Sequence, residues 1–332
     1  MKAVWLLQLG TPQDPSVSAV RRYLSEFLMD RRMIALPYFL RLLLVRGIIV
    51  PFRAKKSAHA YQNVWSDQGS PLMVHSVELQ KKLQQKFPHI PVVLSMRYGG
   101  PSIKEGLRQL RELGADRVLT IPLFPQYASA TTGSLLELIF EHLKREENVP
   151  ALQVKAPFFD DPGFVDAMAA LAPKDLQSYD RVLFSFHGYP EKYLKKSSRQ
   201  CLTQNCCDQI SARNSFCYRA QSVVTAKLLA QRLNLAREKW EIGFQSRLAG
   251  SKWTDPYTDE ILERWAKEGI KSVLVFCPSF VADCLETVEE IGIRERENFL
   301  KLGGARLDLV PCVNASPAWV DSLGQEIQSF IQ

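Results

Sequence analysis

The stretch Arg181-Val-Leu-Phe-Ser-Phe-His187-Gly-Tyr-Pro190 decides how this chain is read. Arg181–Phe186 reads as an apolar strand that stops on His187-Gly188 and passes into a Tyr-Pro turn. An imidazole is thereby set at the carboxyl end of a strand, the place where open α/β sheets bind their ligands. The other four histidines, His59, His75, His89 and His142, fall in helix-like or loop stretches. A histidine so placed also suits the plainer role of closing a strand, and the rest of the chain has to decide between the two.

The length of 332 residues allows one large domain or two ordinary ones. Hydrophobic residues at 46% and charged residues at 23% are those of a soluble globular protein. The net charge of +7 is scattered, which suits acidic small molecules or an anionic membrane surface better than nucleic acid. Met1–Leu9 has neither the length nor the cleavage site of a signal peptide and reads as the first strand, so a cytoplasmic location is expected. Met33–Phe52 is apolar but interrupted by Pro37, Arg41, Arg46 and Gly47. It fails as a membrane span, which needs about 20 mostly apolar residues. Such a stretch can still lie on a membrane surface or form an apolar lip over a pocket.

Outward from His187, the second half repeats the order of the first. Val182–Phe186 corresponds to Val4–Leu9, each strand ending in a Gly-x-Pro turn. Trp240–Phe244 corresponds to Pro91–Met96, both leading to an arginine, Arg247 and Arg97. Val273–Phe276 corresponds to Val118–Ile121, with Gly269 and Gly114 four residues before each. The helix expected at Thr258–Lys267 sits where Ser102–Leu113 sits in the first half, and Ser102 with Glu105 carries a capping-box signature. The pattern predicts an α/β protein of two similar Rossmann-like, doubly wound parallel-sheet domains whose strand ends face a shared cleft. The expected halves are 1–155, with the apolar lip at 33–52, and 156–314. A C-terminal helix at 315–332 is expected to pack back on the first half. No Gly-x-Gly-x-x-Gly or phosphate loop follows any strand, so nucleotide binding lacks its signature.

The last strand of the second half runs into Asp283, Glu286 and Glu290. Asp283 and Glu286 have capping-box spacing. Glu286 and Glu290, four apart, share a helical face, an unfavourable pairing unless a cation lies between or beside them. A histidine on one strand end and carboxylates on another suit divalent-metal handling or proton transfer.

The Gly10-Thr11-Pro12 start, Ala19-Val-Arg-Arg-Tyr-Leu24, Gly69-Ser70-Pro71, Pro122-Leu-Phe-Pro-Gln-Tyr127, Thr131-Thr-Gly-Ser134, the His187 strand end and Phe280-Val-Ala-Asp-Cys-Leu-Glu-Thr287 together resemble the ferrochelatase family. The resemblance runs in order over nearly the whole chain. It implies a lyase that inserts Fe2+ into protoporphyrin IX, releasing two protons and forming protohaem as the last step of haem synthesis. It implies that His187 is the family's invariant histidine and Glu286 its facing glutamate, with Asp283 and Glu290 continuing an acidic path for the metal. Arg97, Tyr98, Tyr127 and Trp253 match pocket positions, Leu9 the apolar wall, and Arg53, Tyr61 and Ser70 positions near the porphyrin propionates. The sequence leaves open whether His187 or Glu286 takes the first pyrrole proton. Cys284 departs from many relatives, which carry a second histidine there, and reads as a small buried residue.

Four of the seven cysteines, Cys201, Cys206, Cys207 and Cys217, cluster after the His187 strand, whereas Cys277, Cys284 and Cys312 read as core residues. Clustered thiols in a cytosolic chain mark structural zinc or an iron–sulfur cluster more often than disulfides. The chain resembles those bacterial ferrochelatases whose internal cysteines hold a [2Fe–2S] cluster, which ranks that cofactor first, zinc second and unligated thiols last. Three other functions fit part of the pattern: a chelatase for coproporphyrin or another tetrapyrrole, a non-catalytic tetrapyrrole-binding sensor, and a periplasmic-type binding protein. The last would carry a signal peptide. The apolar lip favours an apolar porphyrin reached through peripheral membrane contact.

Overall fold

The computed structural model describes residues 1–197, 201, 206–247 and 251–332. β1 (Lys2–Gly10) forms where Ala3–Leu7 runs unbroken through apolar side chains, and all five are fully buried. It lies between β2 (Val92–Tyr98) and β3 (Arg117–Pro122), with Leu6 facing Leu94 on one side and Ile121 on the other. β4 (Ala151–Val154) closes the far edge, giving a parallel sheet in the order β2-β1-β3-β4. One face of this sheet, carrying Ala3, Trp5 and Leu7, packs on Ile103, Leu107 and Leu110 of one helix and Leu135, Ile139 and Leu143 of another. The first of these helices, Ile103–Glu112, starts in the expected capping box of Ser102 and Glu105.

The second sheet repeats the plan. β5 (Arg181–His187) pairs with β6 (Trp240–Gln245) and β7 (Ser272–Phe276), and β8 (Arg306–Leu309) adds the edge, in the order β6-β5-β7-β8. Its core sets Leu183, Val273 and Val275 against Ile261, Leu262 and Trp265 of the helix Thr258–Lys267. Parallel strands joined by crossover helices bury both faces of a sheet, and this accounts for the continuous apolar runs. The α/β duplication expected from the sequence is thus present strand for strand. The sequence reading misses β4 and β8. Each has four residues, with no run of fully buried positions to announce it.

Compact packing divides the chain into two units: 1–124 with 129–156 and 320–332, and 125–128 with 157–319. In the first unit, the end of the helix Pro317–Ile331 is held by Lys2, whose ammonium donates to the Phe330 carbonyl at 2.9 Å, and by the Lys155–Glu326 pair. Trp319 belongs to the second unit and packs on Phe158 and Phe164.

The 33–52 stretch is largely helical. Tyr38–Leu42 runs into a wider-wound π segment, Leu43–Ile49, and then into the helix Val50–Val64. Pro51 has no N–H to donate and its ring crowds the preceding turn, a conflict that a widened turn relieves. Phe39, Leu43, Ile48 and Phe52 stay exposed, Phe52 at 81%. Among the described residues no helix is long and apolar enough to cross a membrane.

Candidate active site

In the order β6-β5-β7-β8 the connections leave β5 and β7 toward opposite sides, so the switch point lies between their carboxyl ends. β5 ends on His187, and the segment after β7 carries Ser279, Asp283 and Glu286. His187 is pinned by its backbone: its N–H donates to Ser279 Oγ at 3.0 Å, and its carbonyl accepts from the buried Tyr218 hydroxyl at 2.8 Å. Its Nδ1 lies 2.7 Å from the Gly188 carbonyl oxygen. A carbonyl can only accept, so Nδ1 carries the proton and a neutral ring keeps its lone pair on Nε2. Gly188 is required by close approach. A Cβ there would stand 2.7 Å from the Gln245 carbonyl oxygen and 3.2 Å from the Trp253 ring.

Gln245, opposite His187 on β6, ties the neighbouring elements together. Its Oε1 accepts from Ser185 Oγ at 2.6 Å and faces Cys277 Sγ at 3.6 Å, while its Nε2 donates to the Glu286 carbonyl at 2.7 Å. One buried amide therefore joins β5, β6, the end of β7 and the segment bearing Glu286.

That segment, Leu285–Glu295, is a π-helix rather than the expected α-helix. The expected capping box of Asp283 and Glu286 is also absent. Cys284 is the N-cap, and its N–H donates to Thr287 Oγ1 at 3.0 Å. The Thr287 hydroxyl lies 3.0 Å from Asp283 Oδ1, which also receives the Cys312 N–H at 3.3 Å. Asp283 Oδ2 accepts from Asn314 Nδ2 at 2.7 Å, so both carboxylate oxygens of this buried residue are occupied. Glu286 is half-buried. Glu290 Oε1 accepts the Ser246 N–H at 2.9 Å and the Arg294 guanidinium at 3.0 Å, and its Oε2 accepts the Ser246 hydroxyl. Ser246 reaches this position with φ +63°, a left-handed conformation uncommon outside glycine and asparagine. Burial pushes the Glu290 carboxyl above its ordinary range, opposed by the Ser246 hydrogen bond and the Arg294 charge. Cys277, Cys284 and Cys312 are core residues, and burial holds their thiols protonated.

Two further expected site residues belong to the second unit. Trp253 is buried, and its indole Nε1 has no hydrogen-bond partner among the described residues. Tyr127 packs edge-on against Phe216 at 5.1 Å, and its N–H donates to Gln221 at 2.6 Å.

In the first unit Arg97 and Tyr98 are committed inward. Arg97 pairs with Asp30 at 2.7 Å and donates to Ser134 Oγ at 2.6 Å. Tyr98 is fully buried, and its hydroxyl donates to Asp30 at 2.8 Å. Burial raises the Tyr98 phenol's pKa; Asp30 falls below the ordinary carboxylate range because Ser134, the Arg32 amide, Arg97 and Tyr98 together outweigh its burial. Arg97 and Asp30 also line a cavity of about 660 Å³ with Arg21, Arg22, Ser25 and Arg46. Leu9 is half-buried beside Gly10, whose φ of +114° and contact with the Tyr98 carbonyl exclude any side chain. Arg53 is exposed without an ion-pair partner among the described residues, Tyr61 packs on Trp65, and Ser70 is the buried N-cap of the helix Pro71–Lys86. Arg247, the counterpart of Arg97 by order, instead binds Asp259 and Glu260 and covers the Tyr257 ring.

The profile of the ferrochelatase family matches residues 1–330. The chain belongs to the ferrochelatase family. Ferrochelatases of Coxiella burnetii and Legionella pneumophila are 43% and 44% identical to it, over 99% and 97% of this chain and 94% and 97% of theirs. The sirohydrochlorin chelatase SirB of Bacillus subtilis subspecies spizizenii, solved with cobalt, shares the fold with a TM-score of 0.53 at 12% identity, over 99% of this chain and 94% of that one. The reaction of this ferrochelatase is insertion of iron into a porphyrin for haem synthesis, a metal-chelatase activity of the lyase class.

The cysteine insert of this ferrochelatase includes residues 202–205, outside those described. Cys206 and Cys207 have sulfurs 3.7 Å apart. Hydrogen bonding to Cys217, with burial, raises the Cys207 thiol, while Cys217 is lowered chiefly by the same contact. Among the described residues no group of three or more His, Cys, Asp or Glu side chains stands ready to hold a metal ion. Sequence reading misses Asp30, Gln245, Ser246, Tyr218 and Arg294. Only Arg294 leaves a trace, as a basic residue four positions after Glu290.

Proposed function

We propose that this ferrochelatase inserts Fe2+ into protoporphyrin IX, with His187 and Glu286 at the reacting centre. The observation that carries the reading is the fixed tautomer of His187. With its Nδ1–H held by Gly188, the ring offers Nε2 as a base for a pyrrole proton or as a ligand for the incoming metal. Two N–H protons leave the macrocycle as four nitrogens close on the iron, and Glu286 and Glu290 carry the protons outward or the cation inward. Asp283, with both oxygens occupied, holds the start of the π-helix in place. In the second unit Trp253 and Tyr127 supply aromatic wall; in the first, Leu9 supplies apolar surface and the exposed Arg53 a cation suited to a porphyrin carboxylate, with Tyr61 on the same helix, while Ser70 is buried as the cap of the next helix. Arg97 and Tyr98 act by fixing Asp30.

The exposed Phe39, Leu43, Ile48 and Phe52 beside Arg53, Lys55 and Lys56 support peripheral contact with the anionic inner face of the cytoplasmic membrane. An apolar porphyrin delivered from that surface favours protoporphyrin over the more acidic coproporphyrin. A [2Fe–2S] cluster on Cys201, Cys206, Cys207 and Cys217 is supported by two features. Two sulfurs on one tetrahedral metal at about 2.3 Å stand roughly 3.8 Å apart, close to the Cys206–Cys207 separation. Arg219 Nε is buried beside these thiols with no acceptor among the described residues, a donor suited to an anionic cluster. When bound, such a group supplies electron-transfer chemistry or a structural clamp.

The experiment is anaerobic mixing with Fe2+ and either protoporphyrin IX or coproporphyrin, followed by absorbance, with Glu286→Gln in parallel. Faster metallation of protoporphyrin that collapses in the variant is the expected result. Preference for coproporphyrin would overturn the substrate, and an unimpaired variant would overturn the role of Glu286. Cys206→Ser is expected to lose visible absorbance, iron and acid-labile sulfide; unchanged contents would remove the cluster.

A further inference from the structure

Glu286 and Glu290 lie four residues apart on one side of the π-helix, and Arg294 lies four residues further. The guanidinium of Arg294 spreads over three carboxylates, with Nη2 at 3.0 Å from Glu290, Nε at 3.3 Å from Glu295 and Nη1 at 3.5 Å from Glu289. The three carboxylate side chains are 14% exposed or less, whereas that of Arg294 is 45% exposed. No other lysine or arginine pairs with Glu290 among the described residues. The far side of Glu290 is closed by Ser246, whose N–H and hydroxyl take the two oxygens. The site thus supplies from its own chain the cation that two stacked glutamates require, at the solvent end of the line.

We propose that Arg294 is a built-in counter-ion occupying the outer end of the Glu286–Glu290 line, displaced when a divalent cation loads, so that it sets how readily this ferrochelatase takes up its metal. The inference rests on the reading that these carboxylates handle the iron. The Arg294 side chain is 45% exposed, so solvent can take the guanidinium when it leaves, and Ser246 keeps Glu290 in place when it does. With Glu289, Glu290 and Glu295 around it, Arg294 is outnumbered three to one by carboxylates even while docked, so an arriving dication is still attracted. A unit positive charge within a few ångström of that dication weakens its binding, by an amount that screening at the protein surface makes moderate. Arg294 is a positioning residue acting through Glu290, and its effect belongs on metal affinity rather than on the chemical step.

The test uses the full-length protein at pH 8, where protonation of Glu290 competes least, with Co2+ as an air-stable probe. Binding is measured by calorimetry without porphyrin, and KM for Fe2+ by anaerobic turnover. Arg294→Gln is expected to tighten Co2+ binding about three- to tenfold and to lower KM for Fe2+ similarly, leaving KM for porphyrin unchanged, with Arg294→Lys near wild type. Glu290→Gln is expected to weaken Co2+ binding. If Glu290→Gln weakens binding and Arg294→Gln does not tighten it, the counter-ion role is wrong and the acidic line stands. If neither variant changes Co2+ affinity or KM for Fe2+, the line is not the metal's route, and both readings fall. A lowered melting temperature in Arg294→Gln with unchanged metal binding reduces Arg294 to a structural ion pair.

Discussion

The two units share one strand order and differ in what their strand ends do. In the first, the polar groups past β2 and β3 close on each other: Arg97, Tyr98 and Ser134 all converge on Asp30. In the second, the amide of Gln245 takes the central place and ties β5, β6 and the Glu286 segment together. His187 holds its Nδ1 on the Gly188 carbonyl, the Trp253 indole N–H has no partner among the described residues, and Glu286 and Glu290 sit on a widened helix. A duplicated sheet therefore supplies two similar frames whose strand ends carry different groups: an Arg–Asp pair in the first, and in the second a histidine with carboxylates on the segment after β7.

The sharpest way to break this contrast is His187→Ala. Positioned general acid–base groups contribute about 10²–10⁴-fold, so metallation should fall by that order while the melting temperature holds. A loss of only a few-fold, by stopped-flow absorbance, would put the chemistry elsewhere. Next comes Asp30→Ala, which leaves Arg97 buried without its partner and should cost about 3–5 kcal/mol of stability in denaturant titrations. The pH dependence has a definite sign. Asp30 is depressed in the folded state, so its contribution is complete above the ordinary carboxylate pKa of about 3.9 and is lost as pH falls through the lower folded value. The gap between wild type and Asp30→Ala should narrow below about pH 4; a gap independent of pH would show that packing, not charge, holds the first frame.

Gln245→Ala removes one buried amide and exposes its partners, a loss of about 1–3 kcal/mol, with a fall in kcat because His187 and the Glu286 segment lose their common tie. Unchanged kcat would mean that the second frame does not depend on it. The smallest expected effect is Ser102→Ala, about 1 kcal/mol from a lost cap. It applies to one unit alone, since the matching helix Thr258–Lys267 has Tyr257 at its N-cap with no side-chain bond.

The long strands are legible in sequence because a parallel sheet covered on both faces demands unbroken apolar runs, as at Ala3–Leu7 and Val182–Phe186. β4 and β8 are not, because four edge residues satisfy themselves without such a run. His187 is legible from where its strand stops. Its tautomer is not, since that depends on a carbonyl one residue away adopting a particular direction. Asp283 shows how spacing misleads: a carboxylate three residues before a glutamate suggests a cap, yet the helix starts a residue later and Thr287 takes over. Glu286 and Glu290, four apart, fall close together in either π or α winding, so their spacing does not tell the two apart. Asp30 is invisible for another reason, as its partners Arg97 and Ser134 lie 67 and 104 residues away.

The position of Gln245 has a mechanical consequence. Three strand ends and the Glu286 segment meet on a single amide, so displacing any one of them stretches bonds to the others. Such a junction behaves as a stiff spring. When a stiff body and a compliant one are pressed together, the compliant one stores the deformation. A ligand more compliant than this junction, pressed against it, would take up the misfit itself.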